Sequence, residues 1–196
     1  MQNIKRKSVG TQLSLCVQPA FIIGTINEDG SYNFAPITWV SVTSEKDGYL
    51  MLISMYGTKM TKQNVIRTGK LSVNLVSSDM LGLMDYFGTH HAKDGKKDAI
   101  PYSVTKGTVV DVPCLDQSRW IYECEVKDSI ETGLSTTFIC QIKNIQIDEQ
   151  LGNMDGAGID LIQLDPVIYT GMYNGIGNYF SIGENLGRIG ELKKRI

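Results

Sequence analysis

Ser54-Met55-Tyr56-Gly57-Thr58-Lys59-Met60-Thr61 carries the residue types that hold a phosphate. A glycine turn there runs into a helical pattern, and a helix N-terminus favours an anion through its free N–H groups and its dipole. Thr58 and Thr61 add hydroxyl donors and Lys59 a full charge. The G-x-x-x-x-G-K-[ST] spacing of a P-loop is missing, and taken alone the loop reads as a helix capped by Thr58 with a surface lysine. Magnitude shows what else a ligand requires. A micromolar complex needs about 8 kcal/mol, whereas a helix dipole at an exposed site supplies roughly 1 kcal/mol. A second, ring-binding segment is therefore needed, and Asn33-Phe34-Ala35-Pro36-Ile37-Thr38-Trp39 fits that part. It offers backbone donors beside Pro36, the Thr38 hydroxyl, and a Trp39 ring that packs on a ligand or fills core. A phosphorylated flat ring system needs both segments.

Other constellations carry less. His90 and His91, with Asp94 and Asp98 nearby, invite a metal. Adjacent histidines in a polar loop seldom share one ion with correct geometry, so no metal is expected. Gly175-Ile176-Gly177 lacks the third glycine and the βαβ setting of a dinucleotide site. No G-x-S-x-G elbow occurs, and no residue stands out as a catalytic acid or base.

The elements that must position the two segments are mostly strands. Residues 20–26 form an apolar β-rich run, 27–30 an Asp-Gly turn, and 31–42 the return strand. Pro36 cannot donate to a ladder, so that strand must be irregular or at an edge there. A turn at 45–48 leads to a strand at 49–55, a short helix at 61–68 ended by Gly69, and an alternating strand at 70–76. A helix follows at 77–87, a polar loop at 89–100, and strands at 103–112, 120–126 and 137–147. An extended segment covers 161–169, and a glycine-rich tail closes the chain. Antiparallel-looking strands with inserted rather than alternating helices point to a β-barrel with added helices.

The 196 residues read as a single domain, 1–196, with a C-terminal extension. A formal net charge of −2 argues against nucleic-acid binding, which relies on a clustered basic surface. The four cysteines show no C-x-x-C or zinc spacing; Cys124 and Cys140 sit in apolar runs, as reduced core residues. No signal-peptide h-region and no apolar run of membrane-spanning length is present. A cytoplasmic protein with no membrane partner is the expectation.

In order and spacing the chain resembles the flavin reductase-like, flavoredoxin-type proteins. The resemblance rests on residues 22–30, on Asn33 to Trp39, on Ser54 with the loop-helix 57–64, and on 68–75, 165–169 and 179–184. It implies a mainly β, antiparallel, Greek-key-like FMN-binding split β-barrel with inserted short helices, forming a homodimer. Ala35, Pro36, Ile37, Thr38 and Trp39 would line the isoalloxazine; Ser54, Tyr56, Thr58, Lys59, Thr61 and Asn64 would hold the ribityl-phosphate end. Tyr86-Phe87-Gly88 matches a Tyr-Cys-Gly stretch of the family, with Phe87 in place of the cysteine, which adds Tyr86 to the cofactor set. Loop 90–97 departs from the family pattern. The implied activity is NAD(P)H-dependent flavin oxidoreduction, with hydride passing to FMN. One alternative is an FMN-bound carrier that passes electrons to a protein partner; another is a non-redox ligand-binding barrel.

Overall fold

The computed structural model describes residues 4–6, 8, 17–90, 100–152, 158–173 and 176–186. The chain opens with β1 (Gln18–Pro19), β2 (Phe21–Ile26), β3 (Tyr32–Ile37), β4 (Val40–Glu45) and β5 (Gly48–Tyr56). Helix α1 (Met60–Thr68) precedes β6 (Lys70–Leu75), and a 3₁₀ turn at Ser78–Met80 leads into α2 (Leu81–Thr89). Then come β7 (Val104–Lys106), β8 (Pro113–Leu115), β9 (Trp120–Thr132) and β10 (Ser135–Ile147). The short α3 (Leu161–Leu164) is followed by β11 (Val167–Tyr173) and β12 (Ile176–Ser181).

Seven strands form the main antiparallel sheet in the order β3-β2-β6-β9-β10-β5-β4. Its two edges, β3 and β4, are consecutive in sequence and joined by Thr38 and Trp39 alone. In a flat sheet those edges would lie about 29 Å apart. Three Cα steps reach about 11 Å at most. The sheet must therefore roll up, and it does so without a ladder between β3 and β4 among the described strands. Ser54 N–H donates to the Trp39 carbonyl at 2.9 Å and pins the corner to β5.

The roll encloses Phe21, Ile23, Met51, Ile53, Leu71, Val73, Cys124, Phe138 and Cys140. Ile22 points the other way, into a second core with Phe34, Met84, Phe87 and Val167. Strand β2 is thus covered on both faces, which is why its sequence is a continuous apolar run rather than an alternation. Gly24 lies where β8 crosses: a Cβ there would stand 2.4 Å from both the Pro113 carbonyl oxygen and Ser72 Oγ. Gly24→Ala should cost about 1–3 kcal/mol by overpacking and lower Tm by several degrees. An unaltered thermal melt would mean that β8 does not press on β2.

Four expected elements differ. The strand expected over 31–42 is two, β3 and β4, because the chain turns the corner at Thr38 and Trp39 and pairs with β5 instead of β2. Of 103–112 only Val104–Lys106 is strand; Gly107 N–H bonds back to the Val112 carbonyl at 2.8 Å and closes a loop. Residues 161–169 are not extended throughout, because Asp160 accepts from the N–H groups of Ile162 and Gln163, both at 3.0 Å, and caps α3. The 77–87 helix starts as the 3₁₀ turn and becomes α-helical only from Leu81. No helix among the described residues is long and apolar enough to cross a membrane.

The loop at 107–110 is organised by Glu123 of β9, whose side chain is fully buried. Its Oε1 accepts from Thr108 N (3.0 Å), Thr108 Oγ1 (2.9 Å), Asn144 Nδ2 (2.7 Å) and Gln146 Nε2 (2.9 Å). Oε2 accepts from Val109 N (2.8 Å) and Val110 N (2.7 Å). Burial pushes the carboxyl up, but these bonds, led by those from Val110 and Asn144, outweigh it and hold the group down to about 2.

Candidate functional site

Strand β3 lies at the centre of the candidate site. Its register with β2 pairs Thr25 with Asn33, Ile23 with Ala35 and Phe21 with Ile37. The hairpin bond from Asn27 N–H to the Ser31 carbonyl sets the phase, because hydrogen-bonded pairs alternate in an antiparallel ladder. Asn33, Ala35 and Ile37 therefore turn their backbone groups to β2, and Pro36 falls at an outward position on the free edge. Its missing N–H costs no ladder bond, and β3 runs through it without a break. The backbone donors beside Pro36 are consequently not those of Ala35 and Ile37. They are the N–H groups of Thr38 and Trp39, which find no partner among the described residues. Both residues are half-buried at the corner.

Helix α1 begins at Met60, with Lys59 in the N-cap position and no side-chain cap bond. The expected Thr58 cap is not formed. The first intrahelical bond runs from Gln63 N–H to the Lys59 carbonyl at 3.2 Å, so the N–H groups of Met60, Thr61 and Lys62 precede the ladder. Thr58 and Lys59 are exposed beside them. Uncapped donors, a hydroxyl and a lysine thus stand together at the start of α1.

Not every expected site residue faces outward. Tyr56 is exposed at the end of β5, while Ser54 Oγ lies 2.7 Å from Thr137 Oγ1 of β10. Thr61 and Asn64 are buried, their side chains turned into the protein. Ile37 belongs to the barrel core and Ala35 is buried beside it.

Helix α2 forms a further wall. A Cβ on Gly88 would stand 3.3 Å from Pro36 Cγ, so the C-terminal turn of α2 packs on the face of β3 that carries Phe34 and Pro36 and leaves its outer edge open. The Phe34 and Phe87 rings stack with centroids 5.6 Å apart, and Tyr102 meets both edge-on. The phenylalanine at position 87 is thus a packing residue. Tyr86 stacks on His90 at 4.1 Å with an 18° interplanar angle. His90 Nδ1 lies 3.1 Å from both the Tyr86 carbonyl oxygen and Thr89 Oγ1. His91, Asp94 and Asp98 lie outside the described residues, as does most of loop 90–97. No group of potential metal ligands occurs among the described residues.

Cys114, Cys124 and Cys140 are free and buried. Burial pushes the Cys140 thiol up to about 12, and burial aided by the Glu123 charge does the same for Cys114. These thiols are packing groups without nucleophilic character. Cys16 lies outside the described residues. Gly177 is also explained by packing, since a Cβ there would stand 2.3 Å from Tyr169 Oη.

The family model for the flavin reductase like domain matches residues 13–176. The chain belongs to the flavin reductase-like family. Solved structures agree on the fold. Flavoredoxin of Desulfovibrio vulgaris (Miyazaki F) superposes with a TM-score of 0.84 at 22% identity, over 95% of this chain and 98% of that one. Flavoredoxin from Methanosarcina acetivorans gives 0.84 at 19% identity, over 98% and 100%. An FMN-binding protein from Thermus thermophilus with bound p-hydroxybenzaldehyde gives 0.72 at 18% identity, over 96% and 99%. A comparison with curated proteins by sequence returns no match. The rolled antiparallel sheet is thus the split barrel of these flavoredoxins.

Proposed function

We propose that the chain binds FMN along the free edge of β3 and at the N-terminus of α1, and works as an NAD(P)H-dependent flavin oxidoreductase. The observation that carries this reading is the pairing of two sets of unspent donors. The Thr38 and Trp39 N–H groups stand beside β3, and the uncapped first turn of α1 stands with Lys59. The first set suits the heteroatom edge of a flat ring and the second a phosphate. FMN is the cofactor that the family and the flavin-binding neighbour support.

When bound, FMN supplies the redox chemistry, taking up a hydride from the nicotinamide. The chain's own residues bind and orient. The α1 N-terminus and Lys59 would hold the phosphate dianion, the β3–β4 corner would fix the ring, and Tyr86 of α2 would border it. No described side chain is needed to move a proton. The reading includes a cytoplasmic homodimer of one domain per chain, the dimer testable by light scattering.

The purified protein should show the two visible absorption bands of an oxidised flavin, bleached by NADH or NADPH without oxygen. A protein that stays colourless with excess FMN would refute the cofactor. The superposition on flavoredoxins supports a second reading, an electron carrier. It shares the bands but not the bleaching, which would need a reduced protein partner.

A further inference from the structure

Four polar side chains join α1 to the β2–β3 hairpin, all buried: Thr25 of β2, Asn33 of β3, and Thr61 and Asn64 of α1. Asn33 Nδ2 donates to Thr61 Oγ1 at 2.8 Å and to Thr25 Oγ1 at 3.2 Å. Asn64 Nδ2 donates to Thr25 Oγ1 at 3.1 Å and to Asn27 Oδ1 at 2.8 Å. Thr25 Oγ1 donates in turn to the Asn33 carbonyl at 3.4 Å. An amide NH₂ has two protons, and a hydroxyl has one proton and two lone pairs. Both amides have therefore spent their donors, and Thr25 has spent its proton and both lone pairs. Asn64 has no N–H left for a ligand.

We infer that Thr25, Asn33, Thr61 and Asn64 are positioning residues: they clamp the first turns of α1 to the β2–β3 hairpin and set the distance between the phosphate cradle and the ring edge. This deepens the FMN reading above and rests on it. The contacts join segments 28 and 39 residues apart in sequence, so they fix a tertiary distance rather than a local turn. Buried donors deprived of acceptors are costly enough to shift the helix. A ligand that uses both subsites then loses what a ligand using one keeps.

Riboflavin has the ring without the phosphate, so the ratio of FMN to riboflavin affinity reads that distance directly. Thr61→Val and Thr25→Val keep the side-chain shape and delete an acceptor; valine also suits the strand at position 25. Binding is titrated by flavin fluorescence, with thermal melts alongside. The wild-type chain should prefer FMN, and both variants should lower that preference about tenfold while riboflavin affinity changes by no more than about twofold. Thr61→Ser, which restores the hydroxyl, should return the ratio. Retention of the wild-type ratio in both valine variants, or an equal loss for the two ligands, would overturn the inference and leave the FMN reading standing. Equal wild-type affinities for the two flavins would instead sink the phosphate site itself.

Discussion

Glu123→Gln should lower stability by about 3–5 kcal/mol, because buried donors lose their acceptor. At this chain length that is a fall in Tm of about 10 °C. The reason is the donor count. Six donors converge on the two carboxylate oxygens. An amide replaces one oxygen with an NH₂ group, which confronts either Val109 and Val110 N–H or the four donors on Oε1. Two or more buried donors lose their acceptor, at about 1–3 kcal/mol each. Glu125→Gln is the control. Its carboxylate sits 3.7 Å from Lys143 at the surface, where such pairs contribute about 0–1 kcal/mol. The sign with pH follows from the lowered carboxyl. Its contribution is fully present above the ordinary carboxylate range near pH 4.5 and is lost as pH falls through about 2. Urea titrations should therefore show a wide gap between wild type and Glu123→Gln at neutral pH and a narrowing one in acid. A Tm within two or three degrees of wild type would show that the loop does not depend on this carboxylate.

Local signals carried well from sequence to structure where the cause is local. The Asp-Gly hairpin turn is present, with Gly30 at φ 81°. Helix α1 ends where Gly69 adopts φ 66° and returns its N–H to the Val65 carbonyl. Pro36 marks an edge strand, one of the two options its missing N–H allowed. What sequence could not supply was cause at a distance. Residues 103–112 look like a strand, yet most of them wrap around a carboxylate on β9. In the sequence Glu123 is one polar residue in an alternating run, indistinguishable from Glu125.

The proposed site divides in the same way. The uncapped helix with Lys59 and the donor-bearing corner at Thr38 and Trp39 lie where the motif spacing suggests. Thr61 and Asn64 share that motif but face inward, since helical position relative to the hairpin decides which side chains meet solvent. The hint was present in Thr25 and Asn33, polar residues inside apolar runs. Their partners 28 and 39 residues away become evident only once α1 is docked. The Tyr86–His90 stack follows from i, i+4 spacing at the end of α2.

Lys59→Ala combined with Thr58→Ala should weaken FMN binding at least tenfold, about 1.4 kcal/mol. A hydrogen bond to a charged group contributes about 1.5–3 kcal/mol net, reduced here because both side chains are exposed. Riboflavin should bind the double variant as it binds wild type, because nothing in the ring subsite changes. Salt separates this effect from that of the buried clamp. Lys59 acts across solvent, so its share shrinks as the Debye length drops from about 10 Å at 0.1 M to about 3 Å at 1 M. The difference between wild type and the double variant should thus narrow in high salt. The loss in Thr61→Val arises from geometry among neutral groups and should persist. FMN affinity unchanged in the double variant at low salt would remove the loop from the site. A loss independent of salt would mean that Thr58 and Lys59 act by shaping the start of α1 rather than by meeting the phosphate charge.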